Sequence, residues 1–245
     1  MIELYNLILY RPVFNLLIFL YNSIPGHDIG LAIIALTVIV KLILLPFSFQ
    51  AIRSQKAMQD IQPKLSDLKK RFQNDKEKLA QETMKLYKEQ KVNPLSSCLP
   101  LLIQFPFLIA VYQAFQTGLK SNNLEQLYSF IANPGQVEAM SFGIINLAAS
   151  SWVLAVLAGL AQYFQTAMLS TKQPPRNVPG SKDESMTANV NKSMQYLMPI
   201  MTIFIGFQLP AGLTLYWLVT TLLTIIQQKF LFKKTATKTV EIITK

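Results

Sequence analysis

Residues 29–49 read IGLAIIALTVIVKLILLPFSF, an apolar run interrupted only by Thr37, Lys41, Pro46 and Ser48. The hydrocarbon core of a bilayer is about 30 Å thick and a helix rises about 1.5 Å per residue, so a span needs roughly 20 largely apolar residues. This stretch meets that length and sets the fold class, an all-α integral membrane protein. Working outward, Leu95–Gly118, with Pro100, Gln104 and Pro106, is a second span; a third lies within Ala149–Leu169; and a fifth, Ala211–Phe232, follows Pro210. Ser193–Gln208, at about 16 residues or roughly 24 Å of helix, is a short fourth span that needs local thinning or partner helices. The tight turn Gln208–Gly212 makes the last two spans an antiparallel hairpin.

The expected organisation is an external segment 1–28, spans at 29–50, 95–118, 149–169, 193–208 and 211–232, and connecting segments of opposite character. Residues 51–94 form a cytoplasmic helical hairpin: Ile61, Leu65, Leu68 and Phe72 recur at helical spacing. After the break at Gln73–Asp75, Leu79, Thr83, Leu86 and Tyr87 make a second stripe, capped by Asn74 or Asp75. Residues 119–148 are external, 170–192 form a cytoplasmic loop rich in proline, and 233–245 are a basic cytoplasmic tail. Pro12–Asn22, apolar but about 11 residues long, reads as a helix lying in the membrane interface. A further span beginning at Ile2 would bury Arg11.

Charge orients the chain. It carries 23 Lys+Arg against 13 Asp+Glu, with 51% hydrophobic residues. The basic residues concentrate in 51–94, 170–192 and the tail, which the positive-inside rule places in the cytoplasm. An odd number of spans then sets the amino terminus outside and the carboxyl terminus inside. No transit peptide or basic leader is visible, so the plasma membrane is the expected location.

Lys41 lies deep in the first span. Its ammonium starts on the order of 12 Å inside the hydrocarbon, where a lysine costs about 2.5 to 3.5 kcal/mol unless water or a partner compensates it. No Asp or Glu occurs in any expected span. Thr37 one turn earlier, Gln104 in span two and Gln165 in span three are the candidates to share a wet cavity with Lys41, with Tyr216 and Trp217 forming its wall. Such a cavity suits transient acceptance of polar or acidic segments. It offers no group for covalent chemistry. The single histidine, His27, lies at the external boundary, Cys98 is the only cysteine, and no phosphate-binding glycine motif occurs. Neither enzyme activity, cofactor nor metal is expected.

These segments resemble the YidC/Oxa family of membrane protein insertases from about Pro12 to Phe232. VIVKLILLPFS looks like the family's first core span, with Lys41 where an arginine is usual; VNPLSSCLPLLIQFP is similar to its NPL-x-x-C-x-P-LLIQ-x-P motif, with Asn93, Pro94, Cys98, Pro100, Gln104 and Pro106; LPAGLTLYWLVTTLLTIIQQ looks like its last span. The resemblance implies a five-helix insertase core around a hydrophilic groove, open to cytoplasm and lipid, closed outside and centred on Lys41. Lysine keeps the charge of arginine but not its planar fork. No amino-terminal lipid-anchor cysteine and no large external domain precede the core, so a minimal form is expected.

The function this implies is insertion and chaperoning of nascent membrane proteins without nucleotide hydrolysis, in contact with membrane lipids and, by family resemblance, the Sec translocon. The basic tail either docks translating ribosomes or serves topology and attraction to anionic lipid. The competing reading is a small-solute or anion transporter with Lys41 as the binding charge. Five spans without an internal repeat argue against it. A scaffold with no activity would leave the buried charge unexplained.

Overall fold

The computed structural model describes residues 2–93, 99–120, 126–169 and 195–243. The proline-rich loop at 170–192 and residues 94–98 of the NPL motif, with Pro94 and Cys98, lie outside them. The described chain is helical apart from one small hairpin. In order, α1 (Ile2–Tyr5) continues through a π-helical turn (Asn6–Tyr10) into α2 (Arg11–Ser23). Then come α3 (Ile29–Ile43), α4 (Leu45–Asp60), α5 (Gln62–Arg71), α6 (Lys76–Glu89) and α7 (Leu99–Lys120). Strands β1 (Met140–Ser141) and β2 (Ile145–Asn146) precede α8 (Trp152–Leu169), α9 (Gln195–Gly206) and α10 (Ala211–Ile243).

Among the described residues, Glu3–Ser23 and Ala211–Phe232 are each long and apolar enough to cross a membrane, and Ile29–Ile43 with Leu45–Arg71 qualifies as a bent pair. Trp152–Met168 and Gln195–Gly206 are apolar but shorter. Leu157, Leu160 and Phe164 on α8 and Ile200 and Phe204 on α9 face outward. So much large apolar surface suits hydrocarbon rather than water.

The first expected span does not run straight. It breaks at Leu44, and the segment Leu45–Arg71, α4 with α5, leaves at 71°. Pro46 stands in the first turn of α4, where it cannot donate to the preceding turn and its ring would strike a carbonyl if α3 continued. Beyond α4, the hairpin of α5 and α6 is held by Ile61, Leu65 and Leu86, with Met58, Leu68, Tyr87 and Val92 around them. Asp75 caps α6, accepting from Lys78 N at 3.0 Å. At the carboxyl end, α10 passes Phe232 without a break, so the segment expected as a tail is helical to Ile243.

The amino-terminal helix is longer than the 11 residues expected. Pro12 does not stop it, because it stands in the first turn of α2, where the missing N–H is tolerated. Arg11, the residue that argued against an early start, lies 5.7 Å from the centre of the Tyr128 ring. Length therefore no longer favours an interfacial position for this helix, but its contacts define where it packs. Tyr10 donates to Thr117 Oγ1 at 2.9 Å, Asn15 Nδ2 donates to Gln126 O at 2.9 Å, and Asn22 donates to Ala132 O at 2.7 Å. Phe14, Leu17 and Ile18 on the same face are buried in the core with Ile33 and Leu36 of α3 and Val111 and Phe115 of α7.

Residues 126–149 form a cap over one end of the bundle. Phe142 and Gly143 take the left-handed conformation, φ 52° and 65°, in the three-residue loop 142–144 that joins the antiparallel strands. Asp28 ties this turn to α3: one oxygen accepts from Leu31 N at 3.0 Å and Ser141 Oγ at 2.7 Å, the other from Phe142 N at 2.5 Å. Gly30 permits the approach, since a Cβ there would lie 2.0 Å from Ser141 Oγ. The cap also closes the start of α10, whose Ala211 and Gly212 N–H groups donate to Ala149 O at 2.7 Å and Leu147 O at 3.0 Å. On the α8–α9 contact, a Cβ on Gly159 would lie 2.3 Å from Ile203, so a small residue lets these helices approach.

Desolvation pushes the Asp28 carboxyl up, but its hydrogen bonds from Phe142, Ser141, Leu31 and Gly30 together leave it below its ordinary value of 3.8. A carboxyl that binds protons more weakly when folded contributes stability above that ordinary value and loses it as pH falls through the folded one. Pepsin cleavage within 126–149 should therefore accelerate as the pH drops below the ordinary carboxylate range. Asp28→Asn should raise cleavage at the upper end of pepsin's range and flatten this pH dependence.

Candidate functional site

Lys41 lies in the last turn of α3, three residues before the break at Leu44, and its side chain points into the bundle with 9% of the residue exposed. Nζ donates to Thr224 Oγ1 on α10 at 2.9 Å, and Thr224 Oγ1 in turn donates to Thr220 O at 2.7 Å. Among the described residues no carboxylate pairs with Lys41. A neutral hydroxyl is its partner. Such a hydrogen bond satisfies one of the three ammonium donors and none of the net charge.

A second polar pair lies nearby on α10. Gln104 Nε2 on α7 donates to the Tyr216 hydroxyl, and Tyr216 is 1% exposed. Tyr216, Thr220 and Thr224 are spaced four apart, so they share one stripe of α10. This stripe links the Gln104–Tyr216 pair to the Lys41–Thr224 pair, and three helices contribute to a single polar row. Thr37 is fully buried one turn before Lys41, but its hydroxyl donates to Ile33 O at 2.6 Å. Only its lone pairs remain for the row. Gln165 is half-buried on α8 and makes no side-chain hydrogen bond among the described residues. Trp217 is half-buried on the adjoining stripe, where its carbonyl accepts from Thr221 Oγ1 at 2.9 Å. The structure thus joins Lys41 to α10 and Gln104 to Tyr216, but bonds neither Gln165 nor Trp217 to them.

Thr224, the direct partner of Lys41, is not among the residues expected from sequence. Its signal was the four-residue spacing of Tyr216, Thr220, Thr224 and Gln228 along one face of the last span. Chemically the row offers hydroxyl and amide donors and acceptors and one fixed positive charge. These can replace part of the hydration of a polar peptide segment.

The profile of the family described as 60Kd inner membrane protein matches residues 19–238, which takes in every residue of this site. The chain belongs to the YidC/Oxa family. Its relatives include the membrane protein insertase YidC of Fusobacterium nucleatum, 34% identical over 230 residues that make up 93% of this chain and 98% of that protein. The membrane protein insertase YidC of Clostridium tetani is 38% identical over 219 residues, 87% of this chain and 88% of the relative. In Haemophilus influenzae the similar insertase is 33% identical over 226 residues, and the match takes in 91% of this chain but 36% of the longer relative. Within the YidC/Oxa family, then, this chain matches some relatives nearly end to end. It matches only part of others.

Proposed function

We propose that this chain inserts and chaperones membrane proteins by offering their polar segments a hydrophilic groove partway across the bilayer. The observation that carries the reading is Lys41, a buried cation whose partner is a hydroxyl and which no described carboxylate neutralises. In a YidC/Oxa protein such a charge attracts an acidic or polar segment and lowers its cost of leaving water. The apolar part of the substrate partitions into lipid along the outward apolar faces of α8 and α9. No nucleotide hydrolysis is required, because burial of the substrate's span supplies the driving force.

In this reading α3, α7, α8, α9 and α10 provide five spans of a plasma-membrane protein with its amino terminus outside and carboxyl terminus in the cytoplasm. The α2 helix stays on the outer side in this reading, because it is packed on α3, α7 and the cap that closes the outer end. The α5–α6 hairpin receives or guides substrates on the cytoplasmic side. The basic tail meets ribosomes or anionic lipid, and the Sec translocon is a further partner. Proteoliposomes holding only this chain should insert a short single-span substrate with an acidic tail, without added nucleotide. Insertion no greater than in protein-free liposomes would refute the proposal.

A further inference from the structure

The polar stripe of α10 does not end at Thr224. Continuing by four residues, it reaches Gln228, the only amide on that face of the stripe from Tyr216 to Gln228. Gln228 is fully buried, and neither its Oε1 nor its Nε2 has a hydrogen-bond partner among the described residues. The buried Oε1 atoms of Gln227 and of Gln55 on α4 are likewise without partners there. A glutamine that served to tie helices together would be bonded across the interface. This one is not. A buried amide whose donors and acceptor are unmet destabilises the fold, and an apolar side chain of similar volume would be more stable in its place.

We infer that Gln228 is a second substrate-binding group of the groove, its amide pairing with the backbone of an uncharged polar segment that passes on the cytoplasmic side of Lys41. This rests on the insertase reading. A primary amide presents both donors and an acceptor, which complements the N–H and C=O of a peptide group. It carries no charge to select an anion, so it divides the work with Lys41, whose partner Thr224 stands one turn earlier on α10. The α4 helix lies over this part of α10: Lys56 Nζ is 5.6 Å from the centre of the Phe232 ring, one turn beyond Gln228. Because α4 packs against α10 here, it is the element that a peptide has to displace to reach the amide.

The test pairs stability with activity in the full chain. Gln228→Leu should raise the unfolding temperature, because it removes an unmet amide. In proteoliposomes it should lower insertion of a single-span substrate with an uncharged polar tail by about fivefold, the equivalent of one hydrogen bond. A photoreactive group in the tail of a stalled substrate should crosslink to the α10 segment around Gln228 in the wild type. A lowered unfolding temperature would show that the amide is structurally bonded and overturn the inference. So would unchanged insertion by the variant. Wild-type proteoliposomes that insert nothing would instead overturn the insertase reading itself.

Discussion

Lys41→Ala should lower insertion of acidic-tailed substrates by about tenfold or more at matched membrane abundance, the equivalent of one hydrogen bond involving a charged group. Lys41→Arg should retain activity, and Lys41→Glu should lose the most. The structure explains why the alanine variant should still fold. Thr224 Oγ1 keeps its own bond to Thr220 O, so losing Lys41 removes only a donor to it and lifts an ammonium out of a buried site. Arginine brings a larger, planar head into a space where lysine is 9% exposed, so its rate need not equal wild type. The measurement is insertion per unit of reconstituted protein for the three variants. Normal insertion by both the alanine and the glutamate variants would show that the charge is idle.

The second large effect concerns the cap. Asn15 is 1% exposed and holds three bonds at once: Nδ2 donates to Arg11 O at 2.8 Å and to Gln126 O at 2.9 Å, and Oδ1 accepts from Tyr128 N at 2.6 Å. Asn15→Leu preserves approximate volume and strands the Gln126 carbonyl and the Tyr128 N–H. Leaving such buried groups unmet costs about 1–3 kcal/mol each. Thermal unfolding in detergent should shift down accordingly, and amide exchange in residues 126–149 should accelerate more than in α10. A uniform loss across the chain would contradict the cap as a separately tied unit.

The membrane class, the helical content and the family were legible because long apolar runs and a dense set of motifs each constrain them independently. Hydropathy counts 29–50 as one run, with Pro46 only an interruption in it, and says nothing of the break at Leu44 or of the direction that follows. Sequence understates the length of the amino-terminal helix because Arg11 and Pro12 read as a boundary. Packing supplied the Tyr128 ring for the first, and helix position excused the second. Within the site, Lys41 stood out because a lone charge in an apolar run has few explanations. Thr224 did not, because threonine in a membrane helix satisfies itself on its own backbone and becomes a partner only when another helix brings a donor to it. Gln165 and Trp217 share the region but not the bonded row, a distinction that spacing along separate helices cannot make.

The central claim is that Lys41 lies in a polar space reached from the basic-loop side and closed by the cap. With Cys98 replaced by serine, single cysteines at Lys41 and at Gln104 should be treated in oriented proteoliposomes with a membrane-impermeant thiol reagent. The account predicts labelling from the side of the α5–α6 hairpin, little from the cap side, and protection when a stalled substrate is bound. Labelling equal from both sides, or absent from both, would contradict it.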